Sequence, residues 1–363
     1  MNETEYLEYF DRANTYFESG NYQKAIENYN RAMDLNPTYA AAYHNRGSAY
    51  SQLGDFHRAI ADYDKAIKIN PNDAEAYNNR GLAYSKLGDN HRAIADFERA
   101  ITINPTYAEA YNIRGSAYYQ LGDFHRAIAD YDKAIKINPN HASAYGNRGL
   151  AYCHLGDNHR AIADLTRAIK INPNDAKAYN NRGLAYYQLG DNHRAIADFE
   201  RAIKINPNHA SAYSNRGLAY YHIGDNHRAI ADYDKAIKIN PNDAKAYHNR
   251  GLAYYHLGDN HRAIADLTRA IKINPNLAAA YINRGLAYSG LGDNQRAITD
   301  LDRAIEIDPN YPYSYLGLGS VYQKQGQIDR AISYFSKAAE IYQKQGQIEN
   351  FQKIIIFIKM LRS

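Results

Sequence analysis

Residues 74–107 read AEAYNNRGLAYSKLGDNHRAIADFERAITINPTY, and this stretch decides the fold because the rest of the chain repeats it. A proline recurs every 34 residues, at Pro37, Pro71, Pro105, Pro139, Pro173, Pro207, Pro241, Pro275 and Pro309. Nine full repeats begin at Tyr6, Ala40, Ala74, Ala108, Ala142, Ala176, Ala210, Ala244 and Ala278, and a divergent tenth begins at Pro312. A constant period of this length predicts a solenoid, in which each repeat packs only on its neighbours.

Each repeat has the pattern of two helices joined by a tight turn. Tyr77, Arg80, Gly81 and Tyr84 are spaced so that they form one stripe on a first helix. A second stripe of the same spacing runs through residues 93–101. Gly88 lies where the first helix must stop, and Asp89 is a good amino-terminal cap for the second. Neither helix can bury its stripe alone, so each repeat needs neighbours.

The spacing of seven residues in this stretch resembles the tetratricopeptide repeat signature. They are Tyr77, Gly81, Tyr84, Ala93, Phe97, Ala100 and Pro105. The resemblance implies an all-α fold, a right-handed superhelical solenoid of antiparallel helix pairs whose first helices line a concave face. We assign residues 1–345 to tandem repeats and residues 346–363 to a carboxyl-terminal capping helix.

Composition narrows the possible partners. The chain has 43 basic and 39 acidic residues, a balance that argues against nucleic-acid binding. A single cysteine, Cys153, cannot form an intrachain disulfide. No apolar run approaches the length of a membrane span, and the acidic amino terminus does not resemble a secretory signal. These features predict a cytoplasmic protein without a cofactor.

An arginine and an aspartate recur together, from Arg46 with Asp62 to Arg284 with Asp300. The arginine lies on the buried stripe, so its charge needs a partner. We predict an ion pair between the two helices of each repeat. In the tenth repeat both residues change together, to Leu318 and Tyr334.

A row of asparagines precedes these arginines and is predicted to border the concave groove. It consists of Asn45, Asn79, Asn147, Asn181, Asn215, Asn249 and Asn283, and Ile113 interrupts it. A regular row of amides can donate to and accept from the backbone of an extended peptide. The alternative is that these amides bond within the fold.

Tyrosine and histidine are concentrated at the end of the first helices in the central repeats, where the family resemblance places the groove. The tyrosines are Tyr119, Tyr187, Tyr221 and Tyr255, and the histidines are His154, His222 and His256. Large side chains with polar tips are common at binding surfaces. The alternative is that these tyrosines pack against the next repeat.

Other histidines recur at the start of the second helices, from His57 to His261. Consecutive members are one repeat apart and lack neighbouring cysteine or carboxylate clusters at zinc-ligand spacing. We therefore predict no metal site.

The last predicted helix has two apolar faces. Phe351, Ile354, Ile355 and Ile358 form one stripe that can cap the tenth repeat, and Ile356 and Phe357 are predicted to point elsewhere. Exposed apolar residues at a terminus indicate a possible interface, here for a homodimer.

Three functions follow from these patterns. The first is a non-catalytic scaffold that binds a protein or an extended peptide in the concave groove. The second is a self-associating structural solenoid that uses the last helix. The third is the recognition arm of a larger enzyme whose catalytic domain lies outside these residues. No nucleophile–base pair or phosphate-binding glycine loop is present in the sequence, so we predict that this chain is not an enzyme.

Overall fold

The computed structural model describes residues 4–362, which form 21 helices and no strand. The helices are α1 (Glu5–Glu18), α2 (Tyr22–Leu35), α3 (Ala40–Gln52), α4 (Phe56–Ile69), α5 (Ala74–Lys86), α6 (Asn90–Ile103), α7 (Ala108–Gln120), α8 (Phe124–Ile137), α9 (Ala142–His154), α10 (Asn158–Ile171), α11 (Ala176–Gln188), α12 (Asn192–Ile205), α13 (Ala210–His222), α14 (Asn226–Ile239), α15 (Ala244–His256), α16 (Asn260–Ile273), α17 (Ala278–Gly290), α18 (Asn294–Ile307), α19 (Pro312–Lys324), α20 (Ile328–Lys344) and α21 (Ile348–Arg362).

The helices cluster into two compact halves, Met1–Ala185 and Tyr186–Ser363. Within each half, the two helices of a repeat pack on each other, and the second helix packs on the first helix of the following repeat. The predicted all-α fold of antiparallel helix pairs is confirmed. None of the helices in the described part of the chain combines the length and the apolar character of a membrane span.

Local sequence fixes where each helix begins and ends. The carboxylate of Asp89 accepts a hydrogen bond from the backbone N–H of Arg92 at 3.0 Å and so caps α6. Gly88 has a φ of 83°, a left-handed conformation that glycine adopts without steric cost. At the other end, α6 stops at Asn104 in an extended conformation, because the residue before a proline disfavours the helical region.

Glycine on the first helix allows the two helices of a repeat to approach closely. A Cβ atom at Gly81 would lie 2.7 Å from the ring of Phe97 and 3.1 Å from the carbonyl oxygen of Ala93. A methyl group at that position would therefore have to displace both a packed ring and a backbone atom.

Alanines on the first helix carry the contact between repeats. Ala178 and Ala185 are at most 2% exposed and belong to the same core cluster as Leu165 and Ala168 of the preceding repeat. Each repeat therefore completes its core with side chains from the next one, as the sequence pattern predicts.

The two ends of the stack differ in polarity. In the first repeat, Glu8 and Thr15 are exposed at the positions where the second repeat buries Ala42 and Ala49. These polar residues are compatible with solvent and not with a stacked neighbour. The first repeat therefore has the polar outer face of a capping repeat.

The last helix packs only partly on the tenth repeat. Ile354, Ile355 and Ile358 join the core cluster around Phe335, as predicted. Ile356 is 54% exposed and points away, also as predicted, whereas the ring of Phe357 meets the ring of Phe335 at 5.2 Å. The prediction that Phe357 points away from the repeat is therefore only partly correct.

One buried aromatic position on the second helix is tyrosine in some repeats and phenylalanine in others, and the tyrosine hydroxyls have different surroundings. The hydroxyl of Tyr131 donates to Ser116 Oγ at 3.3 Å. The hydroxyl of Tyr233 has no hydrogen-bond partner among the described residues, because Leu218 holds the place that corresponds to Ser116. Burial raises the pKa of both hydroxyls, to about 12 for Tyr131 and further for Tyr233.

We expect Tyr233→Phe and Tyr131→Phe to change stability in opposite directions. Removing the unpartnered hydroxyl of Tyr233 should increase the free energy of unfolding by about 1–3 kcal/mol, whereas Tyr131→Phe should decrease it by about 1 kcal/mol. Phenylalanine already occupies this place at Phe97 and Phe199, so the ring itself is accommodated. Urea unfolding of both variants measures the difference, and shifts in the same direction would contradict the prediction.

Candidate functional site

The first helices of consecutive repeats contact one another within each half. Such contacts join α3 to α5, α5 to α7 and α7 to α9, and then α13 to α15, α15 to α17 and α17 to α19. Within neither half do the described second helices contact one another in this way. The closer spacing of the first helices places them on the inner side of each stack, where their side chains line a groove.

The predicted ion pairs between the helices of a repeat are present. The guanidinium of Arg114 donates to Asp130 through two hydrogen bonds of 2.7 and 2.8 Å, and Asp130 is 5% exposed. Some of these arginines also reach the preceding repeat, as Arg80 does to Asp64. The same pairs are Arg46–Asp62, Arg80–Asp96, Arg148–Asp164, Arg216–Asp232, Arg250–Asp266 and Arg284–Asp300. They are structural pairs that fix the register of the two helices.

The predicted asparagine row is half-buried on the first helices, and its amides bond to neighbouring side chains of the fold. Asn45 Nδ2 donates to Asn14 Oδ1 at 2.9 Å, and Asn147 Nδ2 donates to Asn112 Oδ1 at 3.1 Å. Both acceptors belong to the preceding repeat. Ile113 packs into the core where the row is interrupted.

The remaining members of the row have similar surroundings. Asn79 and Asn283 donate to the Nε2 atoms of His44 and His248 at 3.2 and 2.9 Å. Asn181 Oδ1 accepts from Asn180 at 3.3 Å. Asn215 and Asn249 lie half-buried on the same row. Most of the amide donors in the row therefore bond within the fold, as the alternative states. These hydrogen bonds link adjacent repeats.

The tyrosines and histidines at the ends of the first helices contact each other across repeats. Tyr187 meets His222 at a ring distance of 5.3 Å, and Tyr221 meets His256 at 5.4 Å. Tyr221 and Tyr255 each also contact the histidine that follows them, at 5.7 Å. We call these five rings, Tyr187, His222, Tyr221, His256 and Tyr255, the aromatic row.

The aromatic row combines packing and exposure. Its tyrosines are partly buried, and desolvation raises the pKa of Tyr187 and Tyr221. His222 and His256 are exposed. The tyrosines thus pack against the next repeat, as the alternative predicts, while the histidines present their rings to solvent.

A shorter group of rings lies in the amino-terminal half. His154 meets Tyr119 at 5.3 Å and stacks on Phe124 at 5.1 Å. Phe124 begins a second helix, and the sequence pattern did not indicate its part in this group. Cys153, beside His154, is 8% exposed, and burial raises the pKa of its thiol to about 11.

A pocket of about 730 Å³ opens on the groove in the carboxyl-terminal half, lined by α13, α15, α17 and α19. Leu252, Ile282, Leu286 and Leu316 line it together with Asn283 of the amide row. This pocket was not among the sites predicted from the sequence. The sequence did carry a signal for it. The residue just before the asparagine position is not aliphatic in repeats two to eight, whereas repeats nine and ten have Ile282 and Leu316 there.

His248 lies in the wall of this pocket between two asparagines. Its Nε2 atom accepts from Asn283 Nδ2 at 2.9 Å, so its proton is on Nδ1, which donates to Asn249 Oδ1 at 3.1 Å. Burial lowers the pKa of His248 below its usual range. The titratable groups that line the same pocket are His222, Tyr221, Tyr311 and Tyr313.

We expect His248 to make stability depend on pH on the acidic side of neutrality. Because its pKa is lower in the folded than in the unfolded chain, this contribution is complete above about pH 6.5 and is lost as the pH falls below that value. Asparagine holds the corresponding place at Asn78 and Asn112. The His248→Asn variant should therefore lose less stability than wild type between pH 7.5 and 5.5, measured by urea unfolding. Equal losses would contradict the prediction.

Histidines at the start of the second helices, such as His57 and His261, are exposed. Over residues 4–362, no three side chains of histidine, cysteine, aspartate or glutamate are grouped so that they could hold a metal ion.

The paired helices, the aspartate caps and the shared cores define a helical-repeat solenoid protein. Models of the tetratricopeptide repeat match almost continuously along the chain. One, described as TPR repeat, matches residues 13–54, 47–88, 149–190 and 289–326, and others, described as tetratricopeptide repeat, match 74–107, 108–141, 130–163, 180–244, 225–282 and 312–345. The chain belongs to the tetratricopeptide repeat family.

Solved structures are similar over much of the chain. A tetratricopeptide repeat protein from Parabacteroides merdae is 25% identical with a TM-score of 0.55, and the match covers 68% of this chain and 98% of that one. The Cut9–Hcn1 hetero-tetramer of APC/C matches at 15% identity and a TM-score of 0.57, covering 97% and 90%. The pilF protein of Pseudomonas aeruginosa matches at 17% identity and 0.52, covering 57% and 94%. The similarity to the latter two structures shows only that the fold is the same. No curated protein matches the sequence.

Proposed function

We propose that this chain is a non-catalytic scaffold that binds an extended peptide, or an extended segment of a partner protein, in the groove of its first helices. The aromatic row carries the proposal. Five rings lie in contact over three consecutive repeats, with His222 and His256 exposed. Aromatic side chains supply large contact areas with polar edges, which suits the recognition of another chain.

Membership of the tetratricopeptide repeat family supports an interaction role in general. The amide row supports it indirectly. Because its amides bond between repeats, they hold the first helices in a defined spacing and so preorganise the groove. A preorganised surface loses less conformational freedom on binding. The near balance of charge favours a protein ligand over a nucleic acid.

The test is a selection of peptides from a random displayed library against the full chain, followed by affinity measurement with fluorescence polarisation. The binding variant is Tyr187→Ser with Tyr255→Ser. Serine already occupies the corresponding place at Ser51, Ser85 and Ser289, so this variant should fold. The control is His227→Ala with His261→Ala, which changes exposed residues of second helices.

We expect the binding variant to bind the selected peptides with an affinity at least about tenfold lower than that of wild type, because aromatic contacts are lost. The control should bind them like wild type. Peptides that bind both variants equally well would exclude the aromatic row as the site. A library that yields no specific peptide at all would exclude the proposed function.

Self-association through α21 is a second candidate. Ile348, Ile356 and Met360 are 52–67% exposed and follow one another at intervals of eight and four residues on one side of the helix. Glu349 is near the start of α21 and Arg362 at its end, so two antiparallel copies of the helix would bring opposite charges together. The polar first repeat disfavours head-to-tail stacking.

Sedimentation equilibrium over a range of concentrations tests the second candidate. We expect a dimer that Ile356→Glu with Met360→Glu converts to a monomer, whereas Gln343→Glu on the exposed side of α20 leaves it intact. A wild-type chain that stays monomeric at high concentration would exclude self-association.

A further inference from the structure

The pocket between α13, α15, α17 and α19 differs from the remainder of the groove in its chemistry. Its floor is built from Leu252, Leu286 and Leu316, with the buried side chain of Ile282 between them. At about 730 Å³ it falls within the range of sites that enclose most of a small ligand. It can therefore surround a bulky side chain on several sides, which the half-exposed aromatic row cannot.

Charge restricts what can occupy this pocket. Among residues 4–362, no aspartate, glutamate, lysine or arginine lines it. Of its two histidines, His248 accepts a hydrogen bond from Asn283 at Nε2, and burial lowers its pKa, which favours the neutral ring. An ion placed among these side chains would lose its hydration without gaining a partner of opposite charge. The pocket therefore fits an uncharged, apolar group.

One side chain of the amide row, Asn283, lines the pocket. The Nδ2 atom of Asn283 donates to His248, so the amide cannot rotate without breaking that bond. This leaves Oδ1 of Asn283 as an acceptor with no partner among the described residues, and an N–H group is its natural complement. A peptide residue with an apolar side chain fits both features: its side chain packs on the leucines of the floor, and its backbone N–H donates to this acceptor.

We propose that this pocket is the anchor site of the groove and that it binds one large apolar side chain, leucine, methionine or phenylalanine, of the bound peptide. The backbone N–H of the anchor residue donates to Asn283 Oδ1. This inference rests on the proposed function and adds a specificity to it. The peptide carries an apolar anchor for the pocket of repeats seven to ten, in addition to its contacts with the aromatic row, of which Tyr221 and His222 also line the pocket.

The chain offers a matched set of variants for the test. Serine occupies the place of Leu252 and Leu286 in repeats two and four, at Ser48 and Ser116. The pocket variant Leu252→Ser with Leu286→Ser therefore uses a residue that this repeat already accommodates. The control is Leu82→Ser, the same change at the same place in a repeat outside the pocket. Circular dichroism confirms that each variant is folded.

The first experiment uses capped amino acids and needs no known peptide. Methyl resonances of Ile282 and Leu286 are followed by NMR in the full chain during titration with the N-acetyl amides of leucine, phenylalanine, aspartate and lysine. We expect the leucine and phenylalanine compounds to shift the Ile282 resonance in wild type and in the Leu82→Ser control. The pocket variant should lose the response, and the charged compounds should give none. Equal responses to all four compounds, or no response, would overturn the inference.

The second experiment uses the peptides selected from the displayed library. We expect a common apolar residue, whose replacement by aspartate weakens binding at least about tenfold, as does the pocket variant. Selected peptides that lack such a residue and bind the pocket variant normally would overturn the anchor site and leave the groove function standing.

Two other outcomes separate this inference from the functions proposed above. If the library yields no peptide while capped leucine still binds the pocket, the pocket assignment holds and the peptide-binding function fails. If a peptide of residues 346–362 displaces capped leucine from the pocket, the occupant is the last helix of a second copy, and the anchor inference is overturned.

Discussion

A glutamate in place of Ala246 is expected to separate two repeats that wild type stacks together. Ala246 is 0% exposed and shares a core cluster with Ala236 and Ile237 of the preceding repeat. A carboxylate at this place would be buried in that cluster of alanine, isoleucine and tyrosine side chains. Burial of that kind shifts a carboxyl pKa by about three units or more, which corresponds to a loss of at least about 4 kcal/mol.

The loss is large relative to the stability of the whole stack. A domain typically unfolds with a free energy of about 5–15 kcal/mol, and in a solenoid the contacts between repeats supply much of it. We therefore expect the Ala246→Glu variant to unfold in two separated transitions, or not to fold in its carboxyl-terminal half. Urea unfolding followed by circular dichroism, with hydrogen exchange to locate the unfolded helices, measures this.

Two residues of the same chain serve as controls for this prediction. Glu8 occupies the corresponding place in the first repeat, where no repeat is stacked on it, and is exposed. Lys245 is exposed beside Ala246, so Lys245→Glu introduces the same side chain without burying it. We expect Lys245→Glu to unfold like wild type. If Ala246→Glu does the same, the buried alanine is not essential to the stacking of repeats.

Removal of one charge from a buried ion pair is the second change with a large expected effect. In the Asp130→Ala variant, the guanidinium of Arg114 loses two hydrogen bonds, and the Arg114 side chain is only 17% exposed in wild type. We expect the free energy of unfolding to fall by about 3 kcal/mol, because the guanidinium loses its buried partner and keeps only the longer contact with Glu98, at 4.0 Å. The matched control is Arg126→Ala, which removes a surface pair of the same repeat and should leave the urea midpoint close to that of wild type.

The tenth repeat suggests how this loss can be reversed. It replaces the arginine by Leu318, which is fully buried, and the aspartate by Tyr334, which stacks on Tyr322 at 5.4 Å. Buried ion pairs can often be replaced by packed apolar residues at little cost.

The fourth repeat already has a tyrosine, Tyr118, at the place of Tyr322. The double variant Arg114→Leu with Asp130→Tyr should therefore recover most of the stability that Asp130→Ala loses. A double variant less stable than the single one would show that the tenth repeat depends on further changes.

Local sequence determined the helices of this protein because each boundary depends on a few adjacent residues. Gly88, Asp89 and Pro105 fix the ends of α5 and α6 within their own repeat, and a 34-residue period copies that information along the chain. The pair of Arg114 with Asp130 could also be predicted, since a charge on a buried stripe needs a partner and both residues recur together.

The groove depended on contacts between residues about 35 positions apart, which no local pattern describes. The stacking of two repeats decides whether the amide of Asn147 is free to bind a ligand. In the structure, its Nδ2 atom donates to Asn112 instead. The same holds for Tyr187 and His222, whose rings meet only when the repeats stack.

By itself, the sequence determined the family, the helix pairs, the caps and the buried ion pairs, because all of these are set within one repeat and then copied. Only the tertiary structure decided which amides are already bonded, that the hydroxyl of Tyr233 has no partner in the described chain, and that Ile282 and Leu286 line a pocket. The physical reason is that a side chain's solvation and hydrogen bonding depend on every element packed around it, and in a solenoid half of those elements belong to the neighbouring repeat.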